Sequence, residues 1–151
     1  MKNKLFINFI TFVLICLGSN LKAETIFFDS KNIKIEENGN MIFATKGQAK
    51  IPSSNLVIEG DKFIYNKINS ELIVIDDVKY FDDENNIYIE SDKIIYNEIN
   101  NTIFSKSDTY IKSEADYEIN SNDVLYDRNL NKILSNEYTN VSDKNLNNFL
   151  F

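Results

Sequence analysis

Side chains able to do nucleophilic, redox or zinc chemistry are scarce in this chain. Its 151 residues contain no His and no Trp, and its one Cys, Cys16, lies in an apolar N-terminal run. Without those side chains, Ser-His-Asp and Cys-His nucleophile systems, Cys/His zinc sites and disulfide frameworks are all excluded. No nucleophile stands beside a base in any segment, so we predict that the protein is not an enzyme, with no cofactor and no metal ion.

Two acidic clusters are the remaining candidates for chemistry. Asp76 and Asp77 are neighbours in a predicted strand, where adjacent side chains point to opposite faces, so they are unsuited to joint acid–base work. The run Asp82-Asp83-Glu84 offers the oxygen ligands that Ca²⁺ prefers. A lone acidic turn is more typical of a solvated loop, which is what we predict here.

The composition is sufficient for a hydrophobic core and argues against wholesale disorder. The chain is 43% hydrophobic and 13% aromatic, and each methylene taken out of water contributes about 0.8 kcal/mol. If the interior binds lipid, a wall of such side chains could hold acyl chains firmly while letting them slide. Tyr65, Tyr96 and Tyr126 either orient a polar headgroup or are packed rings whose hydroxyls reach the rim.

An internal repeat specifies the elements that must position these side chains. Residues 56–69 return as residues 87–100 and, less closely, as residues 117–131, and an earlier copy precedes them. Spacings of 30, 31 and 30 residues separate the four anchor positions, which are Phe28, Ile58, Ile89 and Ile119.

Each repeat has the pattern of two strands joined by a turn. Apolar and polar residues alternate in both halves, and Asn-rich segments separate the halves. The alternation shifts phase at Gly60-Asp61 and Ser91-Asp92, which predicts a bend. We therefore predict an all-β fold: an open antiparallel β-jellyroll or folded trough, built from four two-strand repeats of about 30 residues, with unpaired edges at both ends.

If the trough carries lipid, its inward columns are the predicted binding site, and plain core packing is the alternative for each residue. Small residues in these columns, such as Ala49, Ser105, Thr109 and Ser135, favour an interior with free space, because a self-filling sandwich prefers bulk there. The predicted lipid-binding residues are Ile33, Ile35, Phe43, Phe63, Tyr65, Leu72, Val74, Ile94, Tyr96, Ile103, Val124, Tyr126 and Ile133.

The N-terminus has the pattern of a cleaved signal peptide. Lys2 and Lys4 precede an apolar run that ends at Leu17, and small residues lead to Ala23. The run is shorter than the roughly 20 residues that span a bilayer. We predict a signal peptide at residues 1–23 and one exported domain at residues 24–151, peripheral to membranes. The net charge of −7 and the lack of a basic stripe exclude nucleic acid as a partner.

The repeated motif Ile-x-Gly/Ser-Asp-Lys-x-x-Tyr-Asn, with Gly47-Gln48-Ala49-Lys50-Ile51 in a second strand, resembles the OstA-like lipopolysaccharide-transport family over residues 26–141. Its members include a periplasmic bridge protein and the N-terminal periplasmic domain of an outer-membrane assembly protein. The chain departs from the family where Asp76-Asp77-Val78 and Ser107-Asp108-Thr109 lack the usual glycine.

The resemblance implies a periplasmic protein of a Gram-negative envelope that carries lipopolysaccharide acyl chains in its trough toward the outer membrane. It also implies contact with other OstA-like domains, identical or different, through edge strands. It leaves open a stand-alone bridge protein or an N-terminal piece, truncated at its C-terminus, of a barrel protein. The alternative function is a structural or adhesive β-solenoid that binds another protein and has no lipid-accessible cavity.

Overall fold

The structure is a computed structural model that describes residues 25–114, 116–143 and 148–150. The predicted signal peptide therefore lies outside the described residues. Within them, two short 3₁₀ segments occupy Glu37–Gly39 and Pro52–Ser54, and no helix is long and apolar enough to cross a membrane. The strands are β1 (Phe27–Glu36), β2 (Met41–Ile51), β3 (Leu56–Asn66), β4 (Glu71–Asp82), β5 (Ile87–Asn97), β6 (Thr102–Ser105), β7 (Thr109–Lys112), β8 (Glu118–Ser121), β9 (Val124–Asp127), β10 (Lys132–Leu134), β11 (Asn140–Ser142) and β12 (Asn148–Leu150).

These strands follow the four predicted repeats. β1 with β2 and β3 with β4 form the first two repeats, and β5 with the β6/β7 pair forms the third. In the fourth repeat both strands are interrupted, giving β8/β9 and β10/β11. β12 pairs antiparallel with β11 and extends the sheet beyond the last repeat.

The sheet is continuous at its N-terminal end and divided at its C-terminal end. β1 to β5 pair in sequence order, each antiparallel to the next. The first half of β5 then pairs with β7, followed by β8, β11 and β12, whereas its second half pairs with β6, followed by β9 and β10. The two branches form two layers, and the sheet does not close on itself. The predicted all-β, open antiparallel folded trough is confirmed.

The bend between the layers lies where the alternation changes phase. The strand register shifts between Glu59 and Lys62 in β3 and between Ile75 and Val78 in β4. The second shift faces Ser91-Asp92 in β5, so both predicted bends are confirmed. Asp76 and Asp77 have φ angles of 64° and 50°. The β4 bend is therefore made in the left-handed region by two aspartates, without the glycine usual in the OstA-like family.

Hydroxyl groups, not apolar side chains, fill the bend in the last two repeats. Thr109 donates to the Ser105 hydroxyl at 2.8 Å, and the Ser91 and Ser105 hydroxyls lie 2.9 Å apart. In the fourth repeat, the Ser121 and Ser135 hydroxyls lie 2.7 Å apart. Hydrogen bonding thus explains the small residues Ser105, Thr109 and Ser135, and the inference of free space from Ser105 and Thr109 is wrong, because both side chains are buried.

Candidate lipid-binding site

Most of the predicted inward columns meet in one buried core between the layers. Ile133 is half-buried and packs against that core. Rings from the two layers contact each other there, since Tyr80 and Tyr126 pack edge to face with centroids 6.4 Å apart. Nine of the predicted lipid-binding residues are buried: Phe63, Tyr65, Leu72, Val74, Ile94, Tyr96, Ile103, Val124 and Tyr126.

Phe43 was predicted to face inward, and that prediction is wrong. It pairs with Ile64 of β3, whose two neighbours Phe63 and Tyr65 are both buried. Paired residues share a face, so Phe43 lies on the outer face and Ala44 takes the inner position. The reason is a third change of phase, at Lys46-Gly47 in β2, where Lys46 has a φ of 51°.

Ile33 and Ile35 lie on the inner face, yet they are exposed. They pair with Ala44 and Ile42, which belong to the core or pack against it. Their exposed fractions are 50% and 62% because, among the described strands, β1 pairs only with β2 and nothing covers its inner face. The apolar interior is therefore open to solvent at this end of the sheet.

Phe28 forms the opposite side of this opening. Its ring packs edge to face on Phe63 with centroids 6.0 Å apart, and it lies 6.3 Å from the Tyr65 ring. Phe28 precedes the bend in β1, and Ile33 and Ile35 follow it, so the three belong to different layers. We call Phe28, Ile33 and Ile35 the β1 opening. An apolar chain entering there would meet Phe63 and Tyr65 next.

A buried ion pair joins the turns of the two layers beyond the β1 opening. Arg128, in the turn after β9, donates from Nε to Asp82 Oδ2 at 2.7 Å and from Nη2 to Asp82 Oδ1 at 3.1 Å. The side chains are 2% and 0% exposed, respectively. Asp82 ends β4 in one layer and Arg128 follows β9 in the other. This two-point contact, the strong geometry of a guanidinium with a carboxylate, therefore fastens the layers together across the rim.

Further hydrogen bonds complete the group that we call the Arg128 cluster. Arg128 Nη2 also donates to the Ser54 carbonyl at 3.1 Å, and Nη1 donates to Asn101 Oδ1 at 2.9 Å. The Tyr126 hydroxyl donates to Asp82 Oδ2 at 3.1 Å. One guanidinium and one carboxylate thereby hold together the turn before β3, the end of β4, the turn before β6 and the turn after β9.

The charges in the Arg128 cluster are stabilised by its hydrogen bonds. Burial by itself would raise the pKa of Asp82, but hydrogen bonds from Arg128 and Asn85 outweigh burial and hold that pKa below its ordinary value. Burial, and then the charge of Asp82, raise the pKa of Tyr126. At neutral pH the cluster is therefore a charged Arg–carboxylate pair with a neutral tyrosine as an additional donor.

The predicted solvated loop at Asp82-Asp83-Glu84 is wrong at its first residue. Asp83 and Glu84 are exposed, but Asp82 is buried, and its Oδ1 also accepts the backbone N–H groups of Glu84 and Asn85 at 3.2 and 3.1 Å. The sequence signal that could have revealed the buried Asp82 is its partner, Arg128. Arg128 is the only arginine in the chain, against 15 lysines, and a buried two-point contact to a carboxylate requires arginine.

The three repeated tyrosines, Tyr65, Tyr96 and Tyr126, are packed rings, which was one of the two alternatives for them. Tyr96 and Tyr126 are fully buried, and the Tyr65 hydroxyl donates to Glu98 Oε1 at 2.9 Å. Each ring thus contributes to the core. The Tyr65 and Tyr126 hydroxyls reach polar partners near the turns that form the rim.

We expect the Arg128 cluster to survive mild acid. Because the folded-state pKa of Asp82 lies below its unfolded value of about 3.9, its stabilising contribution is present above that value and is lost only as pH falls through the folded one. Urea midpoints measured from pH 7 to 3 should therefore lose this share only below about pH 4. Asp82→Asn should lack that acid step. A wild-type loss above pH 5 that this variant abolishes would contradict the assignment.

A polar groove at the bend is a poor candidate for acyl chains. It has a volume of about 740 Å³, and its walls include Glu90, Asp92, Asp108, Asn120 and Glu137. Carboxylates and amides disfavour apolar ligands. Within the described ranges, no group of three or more His, Cys, Asp or Glu side chains is placed to hold a metal ion.

Together, these features define an open β-jellyroll whose apolar interior is accessible at one end. No family model and no curated protein matches the sequence. The fold, however, matches the crystal structure of LptH, the LptA homologous periplasmic component of the conserved lipopolysaccharide transport device from Pseudomonas aeruginosa. The TM-score is 0.66 at 8% sequence identity, over 85% of this chain and 94% of the LptH chain. The fold implied by the OstA-like resemblance is therefore confirmed.

Proposed function

We propose that this protein is a periplasmic lipopolysaccharide carrier that binds acyl chains through its apolar interior and passes them toward the outer membrane. The observation that carries the proposal is the β1 opening, where Ile33 and Ile35 present inward-facing apolar surface to solvent. The shared fold supports it, because LptH is described as a component of a lipopolysaccharide transport device.

Acyl chains, not the headgroup, supply the binding energy in this proposal. Burying about six methylenes contributes about 5 kcal/mol, whereas the net charge of −7 repels an anionic headgroup. An acyl chain would first contact Phe28, Ile33 and Ile35. The buried columns behind them, which include Phe63, would be contacted as the two layers separate.

Edge strands provide the proposed contacts with other OstA-like domains. Among the described strands, β1 pairs only with β2, and β12 pairs only with β11. Each therefore leaves one row of backbone N–H and C=O groups for strand addition by another domain. An identical copy and a different OstA-like domain would both fit this mode.

The filled half of the interior favours a second candidate, a structural or adhesive protein-binding module. Beyond the β1 opening, Tyr80 and Tyr126 occupy the space between the layers and Arg128 joins the turns of the two layers. The β-solenoid form of this candidate is wrong, because the strands pair antiparallel in sequence order instead of forming rungs. A folded, lipid-free protein that does not bind lipopolysaccharide would favour this candidate.

The β1 opening is tested by placing a charge in it. Ile35→Asp should reduce binding of lipid A at least about tenfold, since a carboxylate in an acyl site is strongly disfavoured. Bound lipid is measured by mass spectrometry of solvent extracts and by titration with lipopolysaccharide. Leu134→Asp is the matched control, because Leu134 is also exposed and pairs with Leu125, which flanks the buried Tyr126 and so faces outward. Equal binding by both folded variants would refute the proposed site.

A further inference from the structure

Three exposed aliphatic residues occupy the tips of consecutive turns along one rim. Ile68, Ile99 and Leu130 are 69%, 73% and 71% exposed. They lie in the turns at residues 67–70, 98–101 and 128–131, each of which joins the two strands of one repeat. We call these three turns the turn row. Its apolar tips are not part of the β1 opening.

Hydrogen bonds fix the turns beside one another. The Glu98 N–H donates to the Ser70 carbonyl at 2.9 Å, and the Arg128 N–H donates to the Asn101 carbonyl at 3.1 Å. Asn129 Nδ2 also donates to the Asn100 carbonyl at 3.2 Å. Neighbouring strands are about 4.8 Å apart, so successive tips are about 10 Å apart and the row is about 20 Å long.

Each tip is also fixed internally by a side-chain oxygen from the preceding strand. Asn66 Oδ1 accepts the Ile68 N–H at 2.9 Å, and Asp127 Oδ1 accepts the Leu130 N–H at 3.1 Å. In the middle turn, Asn97 Oδ1 accepts the Asn100 N–H at 2.9 Å. Such Asx turns hold the backbone in one conformation. The backbone of each tip therefore needs little further ordering on binding.

The area and shape of the turn row favour a lipid surface over a protein partner. Three separate aliphatic side chains offer far less than the roughly 800 Å² that each partner buries in a stable protein complex. The tips are convex and about 10 Å apart, so a protein would need three matching sockets. A fluid bilayer surface deforms around each tip and needs none.

Charge favours neutral lipid at this surface. Arg128 is buried against Asp82, and Glu98 accepts the hydroxyl hydrogen of Tyr65. Amide and aliphatic groups then dominate the tips, and Lys67 is the exposed cation of the three turns. Because the whole chain carries a net charge of −7, an anionic surface would repel it.

We propose that the turn row docks this protein on a neutral lipid bilayer, with Ile68, Ile99 and Leu130 inserted at the boundary between headgroups and acyl chains. Insertion of an aliphatic side chain at that depth is how interfacial segments bind membranes. The docking would hold the rim against the bilayer while the β1 opening, at the end of the sheet, stays free. The proposal does not depend on what the interior carries.

The test is cosedimentation of the full protein with vesicles of phosphatidylcholine. The triple variant Ile68→Ser, Ile99→Ser, Leu130→Ser should bind the vesicles with an affinity at least about tenfold lower, since three aliphatic side chains no longer insert into the bilayer. Its unfolding midpoint should equal that of the wild type, because all three side chains are exposed. Tyr138→Ser is the matched control, 70% exposed and outside the turn row, and it should bind like the wild type.

Several outcomes would overturn docking by the turn row. They are no binding of the wild type to phosphatidylcholine, equal binding by the triple variant, and binding only to phosphatidylglycerol vesicles that salt abolishes. Loss of binding in Ile35→Ser would assign the vesicle contact to the β1 opening instead. Loss of self-association in the triple variant, with no vesicle binding by the wild type, would identify a protein contact. Retained lipid A binding by a triple variant that no longer binds vesicles would support two separate sites.

Discussion

Replacing Arg128 with methionine should lower the free energy of unfolding by about 3–5 kcal/mol, the cost of leaving one partner of a buried ion pair alone. Methionine fills part of the space, but the Asp82 carboxylate, 0% exposed, then has no opposite charge. The Ser54 carbonyl and Asn101 Oδ1 also lose the hydrogen bonds that Arg128 donates to them. Urea unfolding followed by circular dichroism at pH 7 measures the loss.

Lys62 provides the matched control for this prediction. Its Nζ lies 2.7 Å from Asp76 Oδ2, the same distance as the pair that Arg128 Nε forms with Asp82, but the Lys62 and Asp76 side chains are 61% and 51% exposed. Because solvent screens this exposed pair, Lys62→Met should leave the urea midpoint close to that of the wild type. The double variant Arg128→Met, Asp82→Leu should regain much of the loss, because no buried charge remains. An Arg128→Met protein as stable as Lys62→Met would contradict the assigned role of the cluster.

The repeat carried enough information to predict the fold. Ile58 and Ile89 recur with the same neighbours, and the odd spacing from Ile58 to Phe63 requires a change of face within one strand. Both features are local in sequence, and an antiparallel meander pairs each strand with the next. The bends at Gly60-Asp61 and Ser91-Asp92, and the pairing of β1 to β5 in sequence order, could therefore be predicted from spacing.

The Asp82–Arg128 contact and the face of Phe43 could not be predicted from the sequence, for different physical reasons. The contact of Asp82 with Arg128 joins residues 46 positions apart and crosses between layers, and periodicity holds no information about which rim residues meet. Phe43 was misplaced because β2 changes face at Lys46-Gly47, whereas the aligned strand β4 keeps one alternation through its bend, with Leu72, Val74, Val78 and Tyr80 all buried. Counting alternate residues across an unrecognised bend reverses every assignment on one side of it.

The β1 opening illustrates the limit of reading burial from a column. Ile33 and Ile35 share the inner face with the core, as predicted, but position in the sheet decides exposure. An inner residue is covered when strands on both sides and a facing layer surround it. The first strand lacks one of those neighbours among the described residues, so the same column that is core in β3 is accessible surface in β1.

Gly47→Ala should detach β1 from β2 and thereby disrupt the proposed binding site, which β1 carries. A Cβ at Gly47 would lie 2.1 Å from the Asp29 carbonyl oxygen and 2.6 Å from Ser30 Cα. Both atoms belong to the β1 backbone, so the strand itself must move, and overpacking of this kind costs about 1–3 kcal/mol. Hydrogen exchange should show β1 amides losing protection relative to β3. Lipid A binding should fall in parallel, because β1 carries Phe28, Ile33 and Ile35.

Gly60→Ala separates this effect from a general intolerance of side chains at the bend. Its Cβ would lie 2.5 Å from Val74 Cγ1, a side-chain atom that can rotate or be removed. Gly60→Ala should therefore destabilise the core while β1 keeps its relative protection, and combining it with Val74→Ala should cost less than the sum of the two single changes. If Gly47→Ala left β1 as protected as in Gly60→Ala, the close approach at Gly47 would not be what holds the opening in place. If β1 detached but lipid A still bound, the acyl chains would enter elsewhere, and the function assigned to Ile33 and Ile35 would be wrong even though the fold was right.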